Sequence, residues 1–211
     1  PLRTVALPLG RQLTLPVTSA GDDIGVRAFF RSALGDYVAV GLGHTRSGHT
    51  VILHGRVPFR HATLAQLRFD ILNNGRTTAN AGTGIQPSAK GTLAFGTLRV
   101  NGAAVPLPNW VGTGGISGKP GKLGYVLTPD EAPTYRPAQV TDGRPLPVLV
   151  TPKVAAAAGP HGIIPIDVEG EQIAARIAGI VQRFPSIQGD AVVADLSEAA
   201  TRLDTRSPGL G

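Results

Sequence analysis

The sequence predicts a mainly β chain with a smaller α/β part: an N-terminal jelly-roll-like β-sandwich followed by a small α/β module. Three observations carry this expectation. From Arg3 to about Val111, short apolar runs recur about every 8–12 residues, punctuated by Gly, Pro and Asn, with no helical period. Asn101-Gly102 separates two such runs, which is among the strongest short hairpin signals. From Pro147 to Leu203 the pattern changes to an apolar strand, a helix start, a long hairpin and a strand feeding an amphipathic helix.

The elements follow in order. Thr4-Val5-Ala6-Leu7 and Gln12-Leu13-Thr14-Leu15-Pro16-Val17 read as short strands broken by Pro8-Leu9-Gly10. Ile24 to Arg31 alternates with period two, the mark of a half-buried strand. Tyr37 to Leu42 follows a Leu34-Gly35-Asp36 turn, and Thr50 to Leu53 follows Ser47-Gly48. Leu64 to Leu72 places Leu67, Phe69 and Ile71 on one face. Gly91 to Val100 and Ala103 to Leu107 flank the Asn-Gly turn. The run from Gly91 to Gly102 is similar to the closing strands of galactose-binding-like jelly rolls, a likeness of fold that carries no function by itself.

Asn109 to Pro147 is rich in Gly and Pro and reads as loop, apart from a strand at Lys122 to Leu127. Trp110 at its start is expected to be a buried anchor. Beyond it, Val148-Leu149-Val150 is a strand, and Pro152 suits a first helical turn. Glu169-Gly170 turns between Ile164-Ile166-Val168 and Ile173-Ala175-Ile177. Arg183-Phe184-Pro185 is expected to end that strand with Phe184 in the core. Asp195, with Glu198 three residues on, has the spacing of a helix capping box. The expected organisation is a β-sandwich over 1–125, a Pro/Gly-rich linker over 126–146 and an α/β module over 147–211.

Composition narrows the function classes. No apolar run approaches the length of about 20 residues that a membrane helix needs. Cysteine is absent, which removes thiol catalysis, Cys-ligated zinc and disulfides, and fits an exported chain. The chain starts at Pro1 and holds no methionine, so it is expected to be an excised or processed piece. Net charge is +6, mostly from arginine, and the basic residues lie singly along the chain. Nucleic-acid binding wants clustered basic side chains with aromatics, so no nucleic-acid partner is expected. A weak attraction to an anionic membrane surface fits the charge.

Candidate chemistry is sparse. Thr113-Gly114-Gly115-Ile116-Ser117-Gly118-Lys119-Pro120 fails as a phosphate loop, because position 113 is Thr and position 120 is Pro. His44, His49, His54 and His61 lie close in sequence, but no nearby acid completes a zinc set, Asp70 being the closest. Asp22, Asp23, Asp36 and Asp70 are the acids of the β-rich part, with Asp22-Asp23 suited to capping a turn. Asp130-Glu131 falls in the linker. No Gly-x-Ser-x-Gly elbow surrounds Ser117. No residue is nominated as catalytic, metal-binding or cofactor-binding, no cofactor is expected, and the chain is read as no enzyme.

Three words of the last third carry a resemblance: Val148-Leu149-Val150-Thr151-Pro152, Ile180-Val181-Gln182-Arg183-Phe184-Pro185 and Val192-Val193-Ala194-Asp195-Leu196. Together they resemble the extracytoplasmic domain of FtsX/MacB-like permeases of ABC transporters, of the actinobacterial type. The resemblance implies a domain outside the cell membrane, joined to it through transmembrane helices this chain lacks. It implies a cytosolic ATPase subunit as partner through the parent permease, and an extracytoplasmic protein as a further contact. A second expectation, from another class, is a secreted carbohydrate-binding module of jelly-roll type. Tyr37, Trp110, Tyr125 and Tyr135 are its candidate sugar platforms.

Overall fold

A computed structural model describes residues 2–72, 88–119, 121–129, 132–168, 170–185, 187–206 and 208. The chain divides between Ala138 and Gln139, the larger unit running from Arg3 to Ala138. The fold is mainly β with a small α/β part.

The larger unit is built from strands β1 (Val5–Ala6), β2 (Gln12–Gly21), β3 (Ile24–Arg31), β4 (Tyr37–His44), β5 (Thr50–Arg56) and β6 (Thr63–Ile71). After the next described stretch begins come β7 (Ala89–Phe95), β8 (Leu98–Val100), β9 (Ala103–Val105), β10 (Trp110–Thr113), β11 (Ile116–Lys119), β12 (Lys122–Leu127) and β13 (Thr134–Pro137). They form two antiparallel sheets. The first has the order β10-β13-β6-β3-β4, with β1 on β6. The second has the order β11-β12-β7-β2-β8-β9, with β5 on β2. Register places β5 along one edge of β2, and β7 and β8 in line along the other.

Period-two alternation decides what lies between the sheets. Leu13, Leu15 and Val17 of β2 join Val26, Ala28 and Phe30 of β3, and Leu64, Leu67 and Phe69 of β6, in one buried cluster. Phe69 of the first sheet and Phe95 of the second stack with ring centroids 6.2 Å apart, tying the two layers together. A shared core of this kind makes the unit sandwich-like.

Two details differ from the sequence expectation. Gly91 to Val100 is not one strand: it breaks at Gly96, whose N–H donates to the Pro16 carbonyl at 2.8 Å. A side chain there would meet the Pro16 ring at 2.9 Å, so the bend requires glycine. The Gly/Pro-rich stretch holds more than the expected strand at Lys122 to Leu127, which is β12: β10, β11 and β13 also lie within it, β13 inside the segment 126–146 read as linker. Gly114, Gly115 and Gly121 serve in the turns between these strands, while Gly112, Gly118 and Gly124 lie within them. Gly114 and Gly115 both take left-handed φ, 60° and 80°, and link β10 directly to β11. Trp110, Ile116, Leu123, Leu127 and Tyr135 supply inward-facing apolar groups, so each short strand has a place in the core.

The smaller unit contains β14 (Leu146–Val150), α1 (Pro152–Ala156), a 3-10 turn (Pro160–Gly162), β15 (Ile163–Val168), β16 (Glu171–Ile180), β17 (Val192–Ala194) and α2 (Leu196–Arg206). Its sheet order is β15-β16-β14-β17, with β14 parallel to β16 and antiparallel to β17. Leu146, Val148, Val150, Ile164, Ile173, Ala175 and Leu203 form its core. Of the hairpin turn, Glu169 lies outside the described residues. Phe184 is half-buried beyond the end of β16, not a core residue on a strand. The ladder stops because β14 gives way to the helix begun by Pro152, leaving β16 no partner past Val181, which donates to Val150 at 2.9 Å.

Candidate functional site

The acids of the larger unit are used in the architecture. Asp22 Oδ2 accepts the Lys90 N–H at 2.9 Å, while the Asp22 N–H donates to the Lys90 carbonyl at 2.9 Å. Asp23 Oδ1 accepts the Ser47 N–H at 2.6 Å. Asp36 accepts the Ser32 hydroxyl at 3.1 Å within a turn. Asp70 accepts from Nη2 and Nε of Arg27, at 2.5 and 2.6 Å, and this fork raises the pKa of Arg27 further. Each of these four described acids is thus engaged with main-chain or side-chain donors of the same unit. Asp130 and Glu131 lie outside the described residues.

The four histidines do not converge. His44 ends β4, His49 and His61 are exposed in connections, and His54 lies on the outer side of β5. Among the described residues no group of three His, Cys, Asp or Glu is placed to hold a metal ion. The Gly114-Gly115 segment is a tight connection that carries the chain from β10 in one sheet to β11 in the other, and it opens no helix whose N-terminus could hold a phosphate.

Three of the four candidate sugar platforms are core residues. Trp110, Tyr125 and Tyr135 keep 3%, 2% and 1% of their surface exposed, too little to meet a pyranose ring. Trp110 leans on Tyr135 with centroids 5.2 Å apart, and Phe95 stacks on Tyr135 at 5.9 Å. Tyr37, half-buried on β4, carries the Arg31 guanidinium 5.7 Å from its ring centroid.

A shallow cleft of about 210 Å³ opens beside this aromatic cluster, lined by Phe95, Thr97, Leu98, Val105, Leu107 and Tyr135 among others. Its volume is below the roughly 300–1,000 Å³ usual for small-molecule sites. The buried Tyr135 hydroxyl has no hydrogen-bond partner among the described residues, and burial raises its pKa.

The segments that carried the sequence resemblance come together in the smaller unit. Val148 to Val150 pairs with Val192 to Ala194 on one side and with the end of β16 on the other. Thr151, next along, latches this junction: its N–H donates to the Ala191 carbonyl and its hydroxyl oxygen accepts the Ala191 N–H, both at 3.1 Å. Asp195 Oδ1 then accepts the Glu198 N–H at 2.9 Å and caps α2. Only this half of the expected capping box forms, because the Glu198 carboxylate receives Arg202 at 2.8 Å instead.

No family model, curated protein or solved structure matches the chain. Among the described residues, no helix is long and apolar enough to cross a membrane.

Proposed function

We propose that this chain is a non-catalytic extracytoplasmic domain of an FtsX/MacB-like ABC transporter permease. In this reading it contacts a substrate or partner protein outside the membrane. ATP hydrolysis belongs to a cytosolic subunit bound by the parent permease. The domain's work is mechanical, a change of contact between two arrangements driven from the membrane side.

One observation carries the reading. Val148 to Val150 lies in one small sheet between Val192 to Ala194, some 40 residues on, and the end of β16 at Ile180, which opens the remaining segment, and the Thr151–Ala191 latch closes the junction. They therefore act as one physical unit. The engaged state of the acids and the scatter of the histidines favour a contact module over an enzyme. The carbohydrate-binding alternative loses Trp110, Tyr125 and Tyr135 as platforms, since all three serve the core.

The test is the coding sequence on either side of this segment. Apolar runs of about 20 residues flanking it, with an ATPase that co-purifies with the parent protein, are the expected result. A secretion signal upstream with a stop codon immediately downstream would overturn the reading.

A further inference from the structure

Charge is divided unequally between the two units. The larger holds 14 Lys and Arg against 6 Asp and Glu, the smaller 6 against 8, so the whole basic excess belongs to the sandwich. Within it, the seven strands of the second sheet contain no Asp or Glu at all.

Register gathers the basic groups onto one side of that sheet. Leu13, Leu15, Leu93, Leu123 and Tyr125 face the core. The alternate positions therefore face outward: Thr14, Thr18, Thr50, His54, Arg56, Lys90, Thr92, Arg99, Ser117, Lys119 and Lys122. Arg56, Lys90, Arg99, Lys119 and Lys122 are all exposed, and none takes part in an ion pair among the described residues. Lys119 and Lys122 stand directly opposite each other across the β11–β12 ladder, where like charges repel. An anionic partner relieves that repulsion.

We infer that the outer face of this sheet docks on an anionic lipid bilayer. Its form distinguishes a membrane from other polyanions. The face is open and about 19 Å wide across five strand rows, with its charges dispersed in two dimensions instead of along a furrow. Phe95 and Tyr125 sit at inward positions and His54 is the one aromatic ring on the outer face of these strands, so the face offers no row of rings to stack on bases. Its exposed aliphatics, Ile52 and Val126, are 58% and 60% accessible and lie on different strands. Isolated aliphatics suit shallow contact with headgroups and are too few for the apolar centre of a protein interface. Thr and Ser hydroxyls between them offer hydrogen bonds to phosphate oxygens. The inference does not depend on the permease reading, since it rests on the face alone.

The test is partitioning of the chain onto vesicles of phosphatidylcholine mixed with phosphatidylglycerol, against vesicles of phosphatidylcholine alone. Binding to the anionic vesicles, weakening steeply with added salt, is expected. Lys119→Gln with Lys122→Gln is expected to lower the partition coefficient about 30-fold, and Arg56→Gln with Arg99→Gln by a similar factor. Arg176→Gln with Arg183→Gln, which removes equal charge from the smaller unit, is expected to change it less than about twofold. Thermal unfolding of each variant separates a lost contact from a lost fold. Equal loss in both groups of variants, or no preference of the parent chain for anionic vesicles, would overturn the inference. So would duplex DNA displacing the protein from the vesicles at matched phosphate concentration.

Discussion

The hydroxyl of Tyr125, on β12, donates to the main-chain carbonyl of Asp22, 103 positions earlier in the sequence. The same Asp22 exchanges hydrogen bonds with Lys90, and Asp23 beside it holds the Ser47 N–H. One tight turn after β2 is thereby fastened to β7, to β12 and to the β4–β5 connection. Gly91, facing Tyr125, permits this closeness: a Cβ there would collide with the Tyr125 side chain and the Ala20 carbonyl.

This arrangement makes the fold sensitive to alkali. Burial first, and the carboxylates of Asp22 and Asp23 next, push the Tyr125 pKa up to about 12. The unfolded chain releases this proton near pH 10, so between about pH 10 and 12 the folded form binds one proton more and stability falls as pH rises. The contribution is whole below about pH 10. Its loss by pH 12 amounts to about 2–3 kcal/mol. Burial moves Tyr135 in the same direction. Urea midpoints measured through this window are expected to fall steeply for the parent chain and less steeply for Tyr125→Phe. Parallel slopes for the two proteins would refute this.

How much of this was legible beforehand depends on how far apart the partners lie. The hairpin at Asn101-Gly102 is local: both residues take left-handed φ, 45° and 81°, and the turn residues announce it. The β15–β16 hairpin and the α2 cap are local too, with partners three to thirteen residues away. By contrast, β13 exists because Tyr135 meets Leu67 on β6, and no local period marks a four-residue strand amid Gly and Pro. The basic face was hidden for the same reason. Lys90, Arg99 and Lys122 look scattered along the chain and come to share one face of a sheet only through strand register. Trp110 was legible as an anchor by size and apolarity, whereas its partner Tyr135, on which Phe95 stacks in turn, was not.

Thr151 is buried and serves the sheet junction more than the helix it precedes, since its side chain makes no cap to α1. Thr151→Val keeps the shape and removes the acceptor of the buried Ala191 N–H. The expected cost is about 1–3 kcal/mol in denaturant unfolding, with Thr151→Ser losing less because it keeps the oxygen. Equal losses for Val and Ser would show that packing, not the hydrogen bond, matters there.

Asp195 is a solvent-side cap whose value is limited to one helix end. Asp195→Ala leaves the Glu198 N–H without its acceptor and is expected to cost about 1 kcal/mol. Asp195→Asn restores most of it. Glu198→Ala is expected to cost less, since it loses only a partly exposed pair with Arg202. Thermal midpoints of the three variants give the order directly.

Trp110 separates a structural role from a sugar-binding one. It is buried against Tyr135 in the first sheet, with its indole N–H lacking a partner among the described residues. Trp110→Ala is expected to cost about 3–5 kcal/mol by leaving a large cavity. Trp110→Phe keeps an aromatic ring, discards the unpartnered donor, and is expected to retain much of that stability. Glycan titrations provide the other half of the comparison. A folded Trp110→Phe chain should match the parent across a broad glycan panel, because this ring never reaches solvent. Saturable binding by the parent that Trp110→Phe abolishes, with unchanged unfolding, would instead restore the carbohydrate-binding reading.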